Sequence, residues 1–113
     1  MVADFRSKLN FEPKQVQFID KVYTLKTDHK TGLLLTELLT KHKNDADTDA
    51  KTVKLVLGEK QYNELMEELE TAGNEKGAVN YTENLTTIVY GLFSVLYNRP
   101  YEDFAGGNND EKK

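Results

Sequence analysis

The sequence predicts a mainly α protein of the α+β type: an amino-terminal β-hairpin, three to four short helices and a disordered carboxyl-terminal tail. Three observations predict it. Apolar residues alternate at period two over residues 15–26 and recur at helical offsets over most of residues 31–98. Residues 105–113 are polar and glycine-rich, and cannot bury enough apolar surface to offset their ordering entropy. A length of 113 residues suits one domain, expected over residues 1–104, with no room for a second core.

The hairpin is predicted over about residues 15–26, where Val16 and Phe18, then Tyr23 and Leu25, alternate on either side of Asp20-Lys21. Asp-Lys is a poor two-residue turn, because a type I′ turn wants positive φ at both positions. Pro13 stands ahead of the first strand, where its missing N–H breaks no ladder bond.

A first helix over about residues 31–43 places Leu34, Leu35, Leu38, Leu39 and His42 on one stripe, with Lys41 and Lys43 at the end where the helix dipole favours cations. The polar residues 44–49 lead into a second helix over about residues 49–57, with Asp49 as its cap and Gly58 as its stop. Val53, Leu55 and Leu57 also alternate as a strand would, and the terminating glycine favours the helix. A third helix over about residues 59–72 aligns Tyr62, Leu65, Met66 and Leu69 opposite a glutamate-rich face, and GNEKG at residues 73–77 is expected to break it.

The fourth helix, about residues 81–98, is the most informative. Asn80 and Glu83 have capping-box spacing, Leu85, Ile88, Val89, Leu92, Phe93 and Leu96 follow at helical offsets, and Pro100 lies beyond the end. With Tyr81, Tyr90, Val95 and Tyr97 included, the apolar arc spans about 220°, twice that of an ordinary surface helix. This helix must therefore bury more than one side. Thr87, Gly91, Ser94 and Asn98 line its remaining face with small or short residues that admit close approach of another backbone. Thr87, Tyr90, Gly91, Ser94 and Tyr97 are accordingly the candidate protein-interaction residues.

Fifteen Lys/Arg against nineteen Asp/Glu give a net charge of -4, which argues against nucleic acid as the main partner. The charge is uneven: residues 1–43 carry +3 and residues 44–113 carry -7, so opposite ends of neighbouring copies would attract in a homo-oligomer. No cysteine is present, which removes thiol nucleophiles and thiolate zinc sites. His29, expected in a turn, and His42 have no spacing that pairs them on a metal. Asp45, Asp47 and Asp49 match the opening of a calcium loop, but Ala50 and Val56 stand where its glycine and bidentate glutamate belong. Glu64, Glu67 and Glu68 lie on a polar helix face with nothing nearby to raise a pKa, so no catalytic, metal or cofactor site is expected. The first residues, MVADFRSKLN, lack the apolar core of a secretory signal, and the longest uncharged run, residues 84–98, is short and partly polar for a membrane span. The chain is therefore expected to stay in the cytosol.

Three stretches together resemble the tail assembly chaperones of long-tailed, siphovirus-type bacteriophages. They are Glu12-Pro13-Lys14 ahead of the strand pair marked by Val16, Phe18, Tyr23 and Leu25, then LGEKQYNEL at residues 57–65, then the uncharged helix and NRP at residues 84–100. The resemblance covers residues 4 to about 104. It implies a non-catalytic protein, made during virion morphogenesis in the host bacterial cytoplasm, that binds the tape measure protein and helps tail tube protein assemble. It also implies absence from the mature virion. The alternative is a permanent structural component of the virion, such as a tail terminator or head-tail connector subunit.

Overall fold

The computed structural model describes residues 1–41 and 46–105. An arm of residues 1–14, with one 3-10 turn at Arg6–Lys8, precedes β1 (Gln15–Gln17) and β2 (Val22–Thr24). The helices are α1 (His29–Lys41), α2 (Ala46–Leu57), α3 (Glu59–Lys76), α4 (Tyr81–Tyr97) and the single-turn α5 (Glu102–Ala105). The expected hairpin and helices are present, and α5 is additional.

β1 and β2 pair antiparallel in the register Gln15↔Thr24, Val16↔Tyr23 and Gln17↔Val22. Residues 18–21 connect them, so the turn is longer than Asp20-Lys21. Two side chains about two turns apart on α3 satisfy free backbone groups of this hairpin. Oε2 of Glu68 accepts from the Asp20 and Lys21 amides at 2.6 and 2.8 Å, and Oε1 accepts from the Tyr23 hydroxyl at 2.8 Å. The Gln61 amide accepts from the Thr24 N–H at 3.0 Å and donates to the Thr24 carbonyl at 2.7 Å, as a neighbouring strand would. Between them Leu65 is fully buried against the core. Glu68 is thus not the idle solvent-facing carboxylate expected from its polar surroundings. Burial raises its pKa, but the bonds from the Tyr23 hydroxyl and the two amides outweigh that and hold it below the ordinary carboxylate value. Burial first, and then the bond to Glu68, pushes the Tyr23 phenol well up.

α1 begins at His29, two residues earlier than expected. Asp28 caps it: Oδ2 accepts from the Thr31 amide at 3.2 Å and Oδ1 from the Thr31 hydroxyl at 2.7 Å. His29 is therefore the first helical residue and not part of a turn. Only part of the expected leucine stripe is core. Thr31 and Leu35 are buried and Leu38 is half-buried, while Leu34 and Leu39 remain exposed, because α1 packs through one narrow line of side chains. His42 lies outside the described residues.

α2 is the hub of the domain, packing on α1, α3 and α4 together. Thr52, Val53, Val56 and Leu57 are all buried, and the Thr52 hydroxyl is satisfied by donating to the Thr48 carbonyl at 2.9 Å. The helix starts at Ala46, so Asp49 is not its cap. Asp49 lies inside the first turn and accepts from the Thr86 hydroxyl of α4 at 3.1 Å.

α3 does not break at Gly73 but runs to Lys76. Gly77, at φ 123°, ends it and donates its N–H to the Gly73 carbonyl. Gly73 is buried in the last turn of α3 because the returning chain crosses it: a Cβ there would lie 2.5 Å from the Val79 Cα. The expected capping box at α4 is absent as well. Asn80 adopts a left-handed conformation (φ 48°) with no side-chain cap bond, while the Asn84 amide donates to the Val79 carbonyl at 2.7 Å.

α4 packs on α2, β1 and α5, which accounts for its wide apolar arc. Leu85, Ile88, Val89 and Leu92 are core, whereas Leu96, expected there too, is half-buried near the end of the helix. Asn98 at φ 57° closes α4, with its N–H donating to the Ser94 carbonyl. The residues expected to form a disordered tail lie outside the described residues from 106 onward; Ala105 belongs to α5.

Candidate protein-interaction surface

The carboxyl end of α4 carries Tyr90, Phe93 and Tyr97 at i, i+3 and i+7, on one side of the helix. The left-handed Asn98 and then Pro100 turn the chain back, and Tyr101, just ahead of α5, and Phe104 within it lay two more rings on this side. Tyr101 meets Tyr90 edge-on at 6.1 Å, and Phe104 lies 5.7 Å from Phe93 and 6.3 Å from Tyr97. The Ser94 hydroxyl braces the turn by donating to the Arg99 carbonyl at 2.6 Å. Arg99 Nε and Nη2 both reach Asp103 Oδ2, at 2.9 and 2.8 Å, fixing α5 in place. Five aromatic side chains thus share one surface, with Tyr97 half exposed at its edge.

Tyr97 also joins this surface to a groove of about 1020 Å³ between α1 and the end of α4. Leu33 and Leu35 of α1, Leu25 after β2, and Leu96 and Tyr97 of α4 line it, and residues 10–14 of the arm, Phe11 among them, form a further wall. Leu33 is 58% exposed and Phe11 86% exposed, so the rim offers apolar side chains to solvent.

The five candidate residues divide into two groups. Tyr90 and Tyr97 belong to the aromatic surface. Thr87, Gly91 and Ser94 do not form a free docking face: Gly91 receives the Phe18 ring of the hairpin connection, Ser94 braces α5, and exposed Thr87 bonds back to the Glu83 carbonyl at 3.3 Å. The close approach that small residues on α4 suggest is thus made within the domain. Phe93, Tyr101, Phe104 and Leu33 are additional surface residues. Tyr101 and Phe104 could have been found from their i, i+3 spacing after Pro100.

The acidic candidates are not assembled for chemistry. Asp47 and Asp49 lie in the first turn of α2, two residues apart and so on different sides of the helix, while Asp45 is outside the described residues. Among the described residues no group of three His, Cys, Asp or Glu side chains could hold a metal ion, and no helix is long and apolar enough to cross a membrane. Tyr81, by contrast, is perturbed: burial and then its bond to the Tyr62 phenol push its pKa up to about 12. No family model, curated protein or solved structure matches the chain.

Proposed function

We infer that this chain is a non-catalytic tail assembly chaperone of a long-tailed phage, binding the tape measure protein and promoting assembly of tail tube protein around it. The motif run from Glu12 to Pro100 supports the reading, and the observation that carries it is the half-buried aromatic cluster at the end of α4 and α5, open to solvent at Tyr97. A tape measure protein is expected to be long, helical and apolar on one face until the tube encloses it. A rigid aromatic face beside an apolar groove suits an amphipathic helix, whose anchors recur at i, i+3, i+4 and i+7. Aromatic side chains supply large contact area at low cost in conformational entropy. The protein would act in the host cytoplasm and leave before the virion matures.

Co-expression of the tagged full chain with the tape measure protein tests this. The two are expected to co-purify, and Tyr97→Asp is expected to abolish capture with an unchanged thermal melt, while Thr87→Asp retains it. Failure of the wild-type chain to capture the tape measure protein, or its presence in purified virions as a stoichiometric component, overturns the reading.

A further inference from the structure

Among the described residues two apolar surfaces have no partner, and they sit next to each other. One is the arm. Val2, Phe5, Leu9 and Phe11 are all more than 60% exposed, every residue from 1 to 13 is exposed, and Asp4 pairs with Arg6 inside the arm itself. The other is the groove between α1 and α4, one wall of which is the arm's root, residues 10–14.

The root of the arm, residues 10–14, walls its own groove, whereas none of residues 1–9 lines it. The Asn10 side chain accepts from the Glu12 N–H at 3.0 Å, and the fixed φ of Pro13 follows immediately. Residues 1–9 are all exposed, and the molecule is 63 Å long with a radius of gyration of 16.1 Å. About 13 Å is typical of a compact domain of similar length. We propose that the arm seats in the α1–α4 groove of a second copy, whose own arm returns the exchange, making a two-fold dimer.

A second copy is the occupant for two reasons. Each chain is both donor and acceptor, with arm root and groove adjoining, so a two-fold operation covers both surfaces at once and closes. The area also suffices. Nine extended residues reach about 30 Å, and an aromatic side chain such as Phe5 can bury about 150–250 Å². With Val2, Leu9 and the groove walls they meet, two exchanged arms remove on the order of 2,000 Å², enough for a stable specific interface. The driving force is apolar, and the copies carry a charge of -4 each, so salt is expected to leave the dimer intact or strengthen it. This inference goes beyond the chaperone reading and stands without it.

Sedimentation equilibrium tests it with three proteins: the full chain, a chain lacking residues 1–9, and full-length Leu33→Asp. Leu33 is exposed, and Thr36→Lys on the same wall is a second groove variant should the first not fold. The full chain is expected to dimerise. Each variant alone is expected to be monomeric, with self-association weakened about a hundredfold or more, the scale of a central interface residue. Mixing the truncated chain, which keeps its groove, with a groove variant, which keeps its arm, is expected to restore a 1:1 complex. A full chain that stays monomeric at high concentration, a truncated chain that still dimerises, a mixture that forms no complex, or a dimer dispersed by salt overturns the proposal. Capture of the tape measure protein by the truncated chain is read separately, so the two readings can fail independently.

Discussion

Phe18 rests its ring edge on Gly91: a Cβ at that glycine would lie 2.7 Å from Cε1 and 3.1 Å from Cζ of the ring. The missing side chain on α4 is therefore filled by the hairpin connection of the same chain. Gly91→Leu is expected to lower stability by about 1–3 kcal/mol through overpacking. Gly91→Ala gains helix propensity but presses on the ring. It is expected to be more favourable by about 1 kcal/mol in a Phe18→Ala background than in the wild type. A double-mutant cycle by urea denaturation that shows no coupling would remove this contact from the account.

Two glycines in helices should respond in opposite ways to the same change. Gly32 of α1 has open space where a Cβ would go, so Gly32→Ala is expected to stabilise by about 1 kcal/mol. At Gly73 the obstacle is backbone, the Val79 Cα at 2.5 Å and the Ala78 carbonyl oxygen at 2.9 Å. Gly73→Ala is expected to cost about 1–3 kcal/mol despite its better propensity. Thermal melts of the pair check both signs.

The bonds of Glu68 predict how stability depends on pH. Its folded pKa lies below the ordinary 4.5, so its contribution is complete above that value and is lost as pH falls through the folded value. The Tyr23 phenol is shifted the other way, so its contribution is complete below the ordinary 10.0 and is lost as pH rises beyond it. Glu68→Gln is expected to flatten the acid limb of stability against pH and to cost about 1 kcal/mol at neutral pH, the difference between a charged and a neutral acceptor. Tyr23→Phe is expected to flatten the alkaline limb. Denaturation midpoints across pH follow both.

Leu92 is fully buried on α4, whereas Leu96 is only partly so. Leu92→Ala is expected to cost about 2–5 kcal/mol, and Leu96→Ala distinctly less. Equal losses, or an unchanged midpoint for Leu92→Ala, would contradict this packing.

The helices are legible in the sequence because Leu65 and Leu69, or Leu85, Ile88 and Leu92, repeat at a period that only a helix brings to one side. Alternation likewise exposes the hairpin through Tyr23 and Leu25. What stays hidden depends on partners distant in the chain. Glu68 looks like any surface glutamate, since the amides it binds lie 47 and 48 residues away. Gly73 looks like a breaker, since the reason a helix keeps it is the later passage of Val79. The same holds for the interaction surface: Tyr90 and Tyr97 are legible from the breadth of the apolar arc, but the fates of Gly91 and Ser94 depend on Phe18 and on the reversal after Asn98. Helix α2 is legible as a helix, but its central place is not: Val53 and Val56 are fully buried because α1, α3 and α4 all pack on it.

The link from Glu68 to the hairpin turn also sets an order of events during synthesis. The turn amides leave the ribosome long before the carboxylate that satisfies them is made. At about 5–20 residues per second, the 48 residues between Asp20 and Glu68 take roughly 2–10 s to translate. Over that interval the nascent hairpin has no α3 to lean on, and a two-stranded ribbon of this size is marginal in water. The hairpin, though made early, is therefore among the last elements to consolidate, and its strands and the exposed arm meet the cell before the helical body that will hold them.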